Sequence, residues 1–105
     1  MSFWNYITGK KSDQERLRYV VKGSSGDYNV TFKCSGDCDP VHEEHIPRGW
    51  KRAFSARAGD YYYVSAQSNS PESKVELRVY QNGKLFKKVE KEGDYPLATI
   101  SGCVC

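Results

Sequence analysis

Tyr28, Val30, Phe32 and Cys34 alternate with Asn29, Thr31 and Lys33. A period of two places one set on each face of an extended strand, so the stretch DYNVTFKC predicts a half-buried antiparallel β-strand. The same spacing sets Val75, Leu77 and Val79 against Glu76, Arg78 and Tyr80. It recurs at Trp50, Arg52 and Phe54 within HIPRGWKRAFSAR (45–57), where Gly49 is expected to bulge or bend the strand. RLRYVVKG (16–23), YYYVSAQ (61–67), KLFKKVE (84–90) and YPLATISG (95–102) are further short segments of this kind. Turn residues separate them: Ser24-Ser25-Gly26-Asp27, Ala58-Gly59-Asp60, the polar run SNSPES (68–73) and Glu92-Gly93-Asp94. Asn82-Gly83 is the sharpest of these signals, because both residues tolerate the positive φ of a type I′ hairpin. No long helical period occurs after residue 17. The pattern predicts an all-β fold, an antiparallel β-sandwich or barrel of about seven strands over residues 16–105 with an N-terminal extension over 1–15.

A chain of 105 residues is expected to form one domain. Its 13% aromatic content supplies large side chains that a small two-layer core packs well. The net charge of +3 is modest and basic residues are interspersed with acidic ones, which argues against nucleic acid as a partner. No run approaches the roughly 18–20 apolar residues that cross a bilayer. The start, MSFWNYITGKKSDQERLR, lacks the basic and then apolar regions of a signal peptide. The expectation is an envelope-associated or extracytoplasmic protein if a leader was removed, and a cytoplasmic one otherwise; four cysteines lean toward an oxidising compartment. Phe3, Trp4, Tyr6 and Ile7 followed by Lys10 and Lys11 read as a short docked turn or as a peripheral membrane contact through residues 3–11.

The stretch CSGDCDPVHEEH gathers both histidines and two of the cysteines into twelve residues. Three readings stand. Cys34 and Cys38 can close a disulfide across a hairpin mouth. Cys34, Cys38, His42 and His45 can bind zinc, which takes four ligands in a tetrahedron. The segment can also be a plain polar loop. Conformation bears on the metal: as a strand, 42–45 sends the two imidazoles to opposite faces, whereas a helical turn opened by Asp39 and Pro40 brings them together. HEEH differs from the H-E-x-x-H of zinc proteases, and no nucleophile elbow, phosphate loop or dinucleotide fingerprint occurs. A Cys38–His42 nucleophile pair has no third group to orient it. No catalytic residue is assigned, and no cofactor apart from the zinc alternative.

Tyr61-Tyr62-Tyr63 sets aromatic rings on both faces of one strand. One face should be core, and the other can offer a platform to a sugar, lipid headgroup or protein, with Trp4 as a further binding candidate. Lys84, Lys87, Lys88 and Lys91 make a lysine-rich hairpin, read as a solubilised sheet edge or as a contact for an anionic membrane or acidic partner. The terminal Cys103 and Cys105 read as side by side in a last strand, where one can bond Cys34 or Cys38, or as free thiols on a frayed tail.

Pro47, Trp50 and Phe54, then Ala58-Gly59-Asp60, Val64-Ser65-Ala66-Gln67 and Val79-Tyr80-Gln81-Asn82-Gly83-Lys84 form an ordered set. Over roughly residues 18–102 that order resembles the MmpS family of small mycobacterial membrane proteins and related bacterial domains. The resemblance implies an immunoglobulin-like β-sandwich without catalytic activity, facing the cell envelope and assisting a membrane transporter or complex. The family joins Pro directly to Trp, where Arg48 and Gly49 intervene here, and begins with a membrane helix that the first residues here do not resemble. Its cysteine before the hairpin has no counterpart in the run Val75–Val79, so the matching disulfide to the C-terminus has no partner.

Overall fold

A computed structural model describes residues 14–33, 39–57 and 59–104. Among these residues eight strands form: β1 (Gln14–Gly23), β2 (Tyr28–Lys33), β3 (Val41–Ile46), β4 (Lys51–Arg57), β5 (Tyr61–Ser68), β6 (Ser73–Gln81), β7 (Lys84–Gly93) and β8 (Leu97–Cys103). They make two four-stranded antiparallel sheets, ordered β4-β1-β6-β7 and β3-β2-β5-β8. Among the described residues no helix is long and apolar enough to cross a membrane.

The all-β expectation holds, with eight strands in place of seven. The difference lies in 45–57, expected as one strand. Pro47 cannot donate to a ladder, and the Trp50 N–H returns to the Pro47 carbonyl at 3.2 Å to close a turn. The chain there leaves the second sheet and enters the first, so the expected bend at Gly49 becomes a crossover. β3 itself begins at Val41, and Val41–Ile46 is strand rather than helical turn.

Pairing is nested. The β2–β3 hairpin sits inside the β1–β4 pair, and the β6–β7 hairpin sits inside β5–β8. β1–β6 and β2–β5 then join the two halves. Each inward set belongs to one continuous core: Leu17, Tyr19 and Val21 of β1 and Val75, Leu77 and Val79 of β6 face Tyr28, Val30 and Phe32 of β2 and Tyr62, Val64 and Ala66 of β5. Phe32 meets Tyr19 across the layers edge-on, with centroids 6.1 Å apart.

The passage from β1 to β2 between the layers is pinned by Tyr28. Its buried hydroxyl accepts the Ser25 N–H at 3.0 Å and donates to the Lys74 carbonyl at 3.2 Å. A strand-opening tyrosine bonded to backbone a few residues upstream is the corner device of Greek-key sandwiches. Gly23 makes room for it: its φ is +149°, and a Cβ there would lie 2.1 Å from the Lys74 carbonyl oxygen and 2.3 Å from the Tyr28 hydroxyl. Buried Ser68 and Ser73 bond each other at 2.7 Å, and Ser25 meets Ser70 at 3.0 Å, which satisfies the hydroxyls at this end.

The Asn82-Gly83 turn forms as expected, with φ of +53° and +83° and Gln81 paired to Lys84. A bulge follows between Val79 and Tyr80, where Phe86 is the extra residue. Two pairs of sheet edges meet at the sides of the sandwich. At one side Glu43 of β3 accepts the Trp50 indole N–H at 3.2 Å and pairs with Arg52, whose guanidinium lies over the Phe32 ring. At the other, the Lys87 ammonium lies over the Tyr62 and Phe86 rings and donates to the Ser101 carbonyl at 3.4 Å.

Candidate binding faces

The outward positions of the first sheet carry a charge pattern that the linear sequence disguises. Along β1, Leu17, Tyr19 and Val21 point inward, which leaves Arg16, Arg18 and Lys22 outward with Val20 between them. Register sets Val20 against Lys51 of β4 and Arg78 of β6, and Arg78 against Lys88 of β7. Lys74 and Arg57 hold the same parity on their own strands. Eight basic side chains thus share one face with three carboxylates, Glu76, Glu90 and Glu92. Acidic and basic residues interspersed without a period along a chain would mix on a surface. On β1 the basic ones alternate with apolar residues, and a period of two sorts them onto one side.

Neighbours hold several of these cations in place. The Arg18 guanidinium stacks 4.6 Å from the Tyr80 ring centre, and Arg78 donates to the Tyr80 hydroxyl at 3.1 Å. Arg78 also pairs with Glu76, while Glu90 lies 3.8 Å from Lys74 and 3.9 Å from Lys88. The hydrogen bond from Arg78, then the charges of Arg78, Lys22 and Arg18, hold the Tyr80 hydroxyl below the usual phenol range. Burial of Glu76 works to raise its pKa, but the hydrogen bond and charge of Arg78 outweigh it and the carboxyl lies below its ordinary value.

At the β1–β2 end of this face, a cleft of about 570 Å³ opens between Lys22, Ser24, Arg48 and Lys74, floored by the bare backbone of Gly23 and Gly49, with Glu76 on its wall. At the opposite corner, beside the Asn82-Gly83 tip, Leu85 is 49% exposed and Phe86 41%. Lys84 adjoins them in a second cleft.

The outer face of the second sheet is different. Asn29 and Thr31 of β2, Ser65 and Gln67 of β5, and Thr99 and Ser101 of β8 give it a mainly hydroxyl and amide character, with Lys33 of β2 and Glu44 beside His42 of β3 as its charged groups. Tyr61 and Tyr63 project there, 70% and 37% exposed, beside Cys103 and Ser101. Tyr62 does not join them. As a binding candidate it is corrected, because it lies on the inward parity, 1% exposed, with its ring against Phe86. Its hydroxyl ends in the core against Gly102, where a Cβ would come within 2.8 Å of it.

The histidines occupy separate niches. The ring of His42 contacts the Thr31 hydroxyl at 2.8 Å through Nδ1 and Glu44 at 3.3 Å through Nε2. His45 sits in the irregular stretch opposite Asn29, with φ of +56°, and its Nδ1 lies 3.1 Å from Asp27. Cys34, Cys38, Trp4, Cys105 and the whole 3–11 segment lie outside the described residues, as do the disulfide and the sulfur half of the metal set. Among the described residues no cluster of three or more His, Cys, Asp and Glu side chains is arranged to hold a metal ion.

Sequence reasoning missed the basic face. The signal that finds it is the parity of Arg16, Arg18 and Lys22 against Leu17, Tyr19 and Val21. No protein-family model matches the chain, and no curated protein matches it.

Proposed function

We propose that this chain is a non-catalytic binding domain of the bacterial cell envelope, an accessory to a membrane transporter or complex, that docks through the outer face of its first sheet onto an anionic partner. One observation carries the reading: eight basic side chains against three carboxylates on a single sheet face, opposite a face whose strands hold few charges, Lys33 and Glu44. Such one-sided charge steers association and orients the docked partner. The reading takes the sandwich as immunoglobulin-like in its layering, a likeness of architecture that leaves strand order open. It takes the order of the Trp50, Gln67 and Asn82-Gly83 segments as MmpS-like. Trp50 and Phe54 packing beside the core and the β6–β7 hairpin support that order.

Retention on a phosphate- or sulfonate-bearing matrix tests the docking face. The full chain is expected to bind at low salt and elute as salt rises. Arg16→Glu with Lys22→Glu should elute at about half the salt or less, since opposed charges now break the field. Lys33→Glu, on the second sheet, should elute near the parent. Equal elution of the first pair and the parent would defeat the proposal.

A further inference from the structure

We infer that the anionic partner is a lipid bilayer, met by the first sheet lying against its surface with Leu85 and Phe86 at the interface; this rests on the docking face proposed above. Three observations favour a bilayer over a nucleic acid or an acidic protein. First, the cations are spread over all four strands, Lys51, Arg18, Arg78 and Lys88 standing on β4, β1, β6 and β7 in turn. At about 4.8 Å per strand and about 3.4 Å per residue the basic patch measures roughly 15 by 20 Å, which a planar array of headgroups can meet throughout.

Second, the patch has an apolar corner. Leu85 pairs with Tyr80 and therefore shares the outward face, while Phe86, the extra residue of the bulge, turns its ring toward Tyr62 and borders the corner from the β7–β8 side. Both stay substantially exposed next to Lys84, Lys87 and Lys88. Exposed apolar side chains beside lysines gain from entering the headgroup–acyl boundary and gain little against a phosphodiester backbone. Third, the aromatic ring at the centre of this face is already used: Tyr80 carries Arg18 on its ring and Arg78 on its hydroxyl, so it is not free to stack on a base. The cleft between Lys22, Arg48 and Lys74 gives one lipid phosphate a recessed seat.

Co-sedimentation of the full chain with vesicles of phosphatidylglycerol and phosphatidylcholine, against pure phosphatidylcholine vesicles, tests this. Binding is expected to the anionic vesicles alone and to weaken with salt. Leu85→Ser and Phe86→Ser, made singly and checked for an unchanged circular dichroism spectrum, should each weaken vesicle binding by roughly threefold to tenfold while leaving elution from the anionic matrix unchanged. Leu85 packs into no core cluster, so its variant reports even if Phe86→Ser fails to fold. Arg16→Glu with Lys22→Glu should weaken vesicle binding and lower the salt needed for elution from the matrix together. Vesicle binding that is absent, equal on the two lipids, or untouched by both the Leu85 and the charge variants overturns the inference, as does tighter binding to duplex DNA than to anionic vesicles. Failure on vesicles with retention on the matrix sinks only the bilayer; loss of matrix retention sinks the docking face as well.

Discussion

Gly23 and Tyr28 illustrate how much depends on single positions. Any side chain at Gly23 meets backbone at Lys74, which cannot move aside without breaking the β1–β6 ladder. Gly23→Ala is expected to cost about 3 kcal/mol or more in urea unfolding, through strain at positive φ and the clash together. Gly26→Ala, where nothing lies within reach of the new methyl, should stay within about 0.5 kcal/mol. Tyr28→Phe strands the Ser25 N–H and should cost about 1–3 kcal/mol. Burial raises the Tyr28 pKa, so its neutral form is the folded one. That contribution is complete below the ordinary tyrosine value of about 10 and is lost as pH rises through the higher folded value. Melting temperature should therefore fall in strong alkali, and fall less in Tyr28→Phe. The sequence shows a turn at Ser24–Asp27; it does not show why a glycine must precede it, because Lys74 arrives from the far end of the chain.

Among the elements, β2, β5 and β6 are legible because each has a sheet neighbour on both sides and one buried face, which forces strict alternation. β3 is not. As an edge strand it meets solvent along most of its length, so VHEEHI needs no apolar rhythm and keeps only Ile46 buried. The lysine-rich hairpin ends in an edge strand, β7, which pairs only with β6 in its sheet. Lys87 and Lys91 share the inward parity of Val89, an arrangement that discourages a second chain from pairing there. Replacing both with leucine is expected to preserve the circular dichroism spectrum but to produce concentration-dependent association by light scattering. A species that remains monomeric across the range would show that another feature guards this edge.

For the molecule as a whole, the layered all-β architecture follows from local periodicity, whereas the sorting of charge requires knowing which strands are neighbours. Arg16, Lys51, Arg78 and Lys88 are far apart in sequence and become one surface through β1–β4, β1–β6 and β6–β7 pairing. Such a surface repels itself, and its carboxylates offset that. Burial works to raise the pKa of Glu76 on this face, but Arg78 holds it below the ordinary carboxylate range, and on the other parity at the start of β1 hydrogen bonds from Gln81 and Asn82 do the same for Glu15. A lowered folded value means stability present above the ordinary glutamate pKa and lost as pH falls through the lower one. Melting temperature should accordingly drop below about pH 4, and added salt should recover part of the loss by screening the cations left uncompensated. A salt-insensitive acid transition would contradict this.

The nesting of the strands also bears on synthesis. β1 finds its first partner only when β4 has left the ribosome, since Leu17 pairs with Phe54, and it becomes an interior strand only when Tyr80 arrives opposite Arg18. At translation rates of about 5–20 residues per second, that second event trails Arg18 by roughly 3–12 s. Throughout that interval Leu17, Tyr19 and Val21 lie on a nascent strand whose other side bristles with arginine and lysine, and that charge keeps neighbouring polypeptides on the same message from annealing to it.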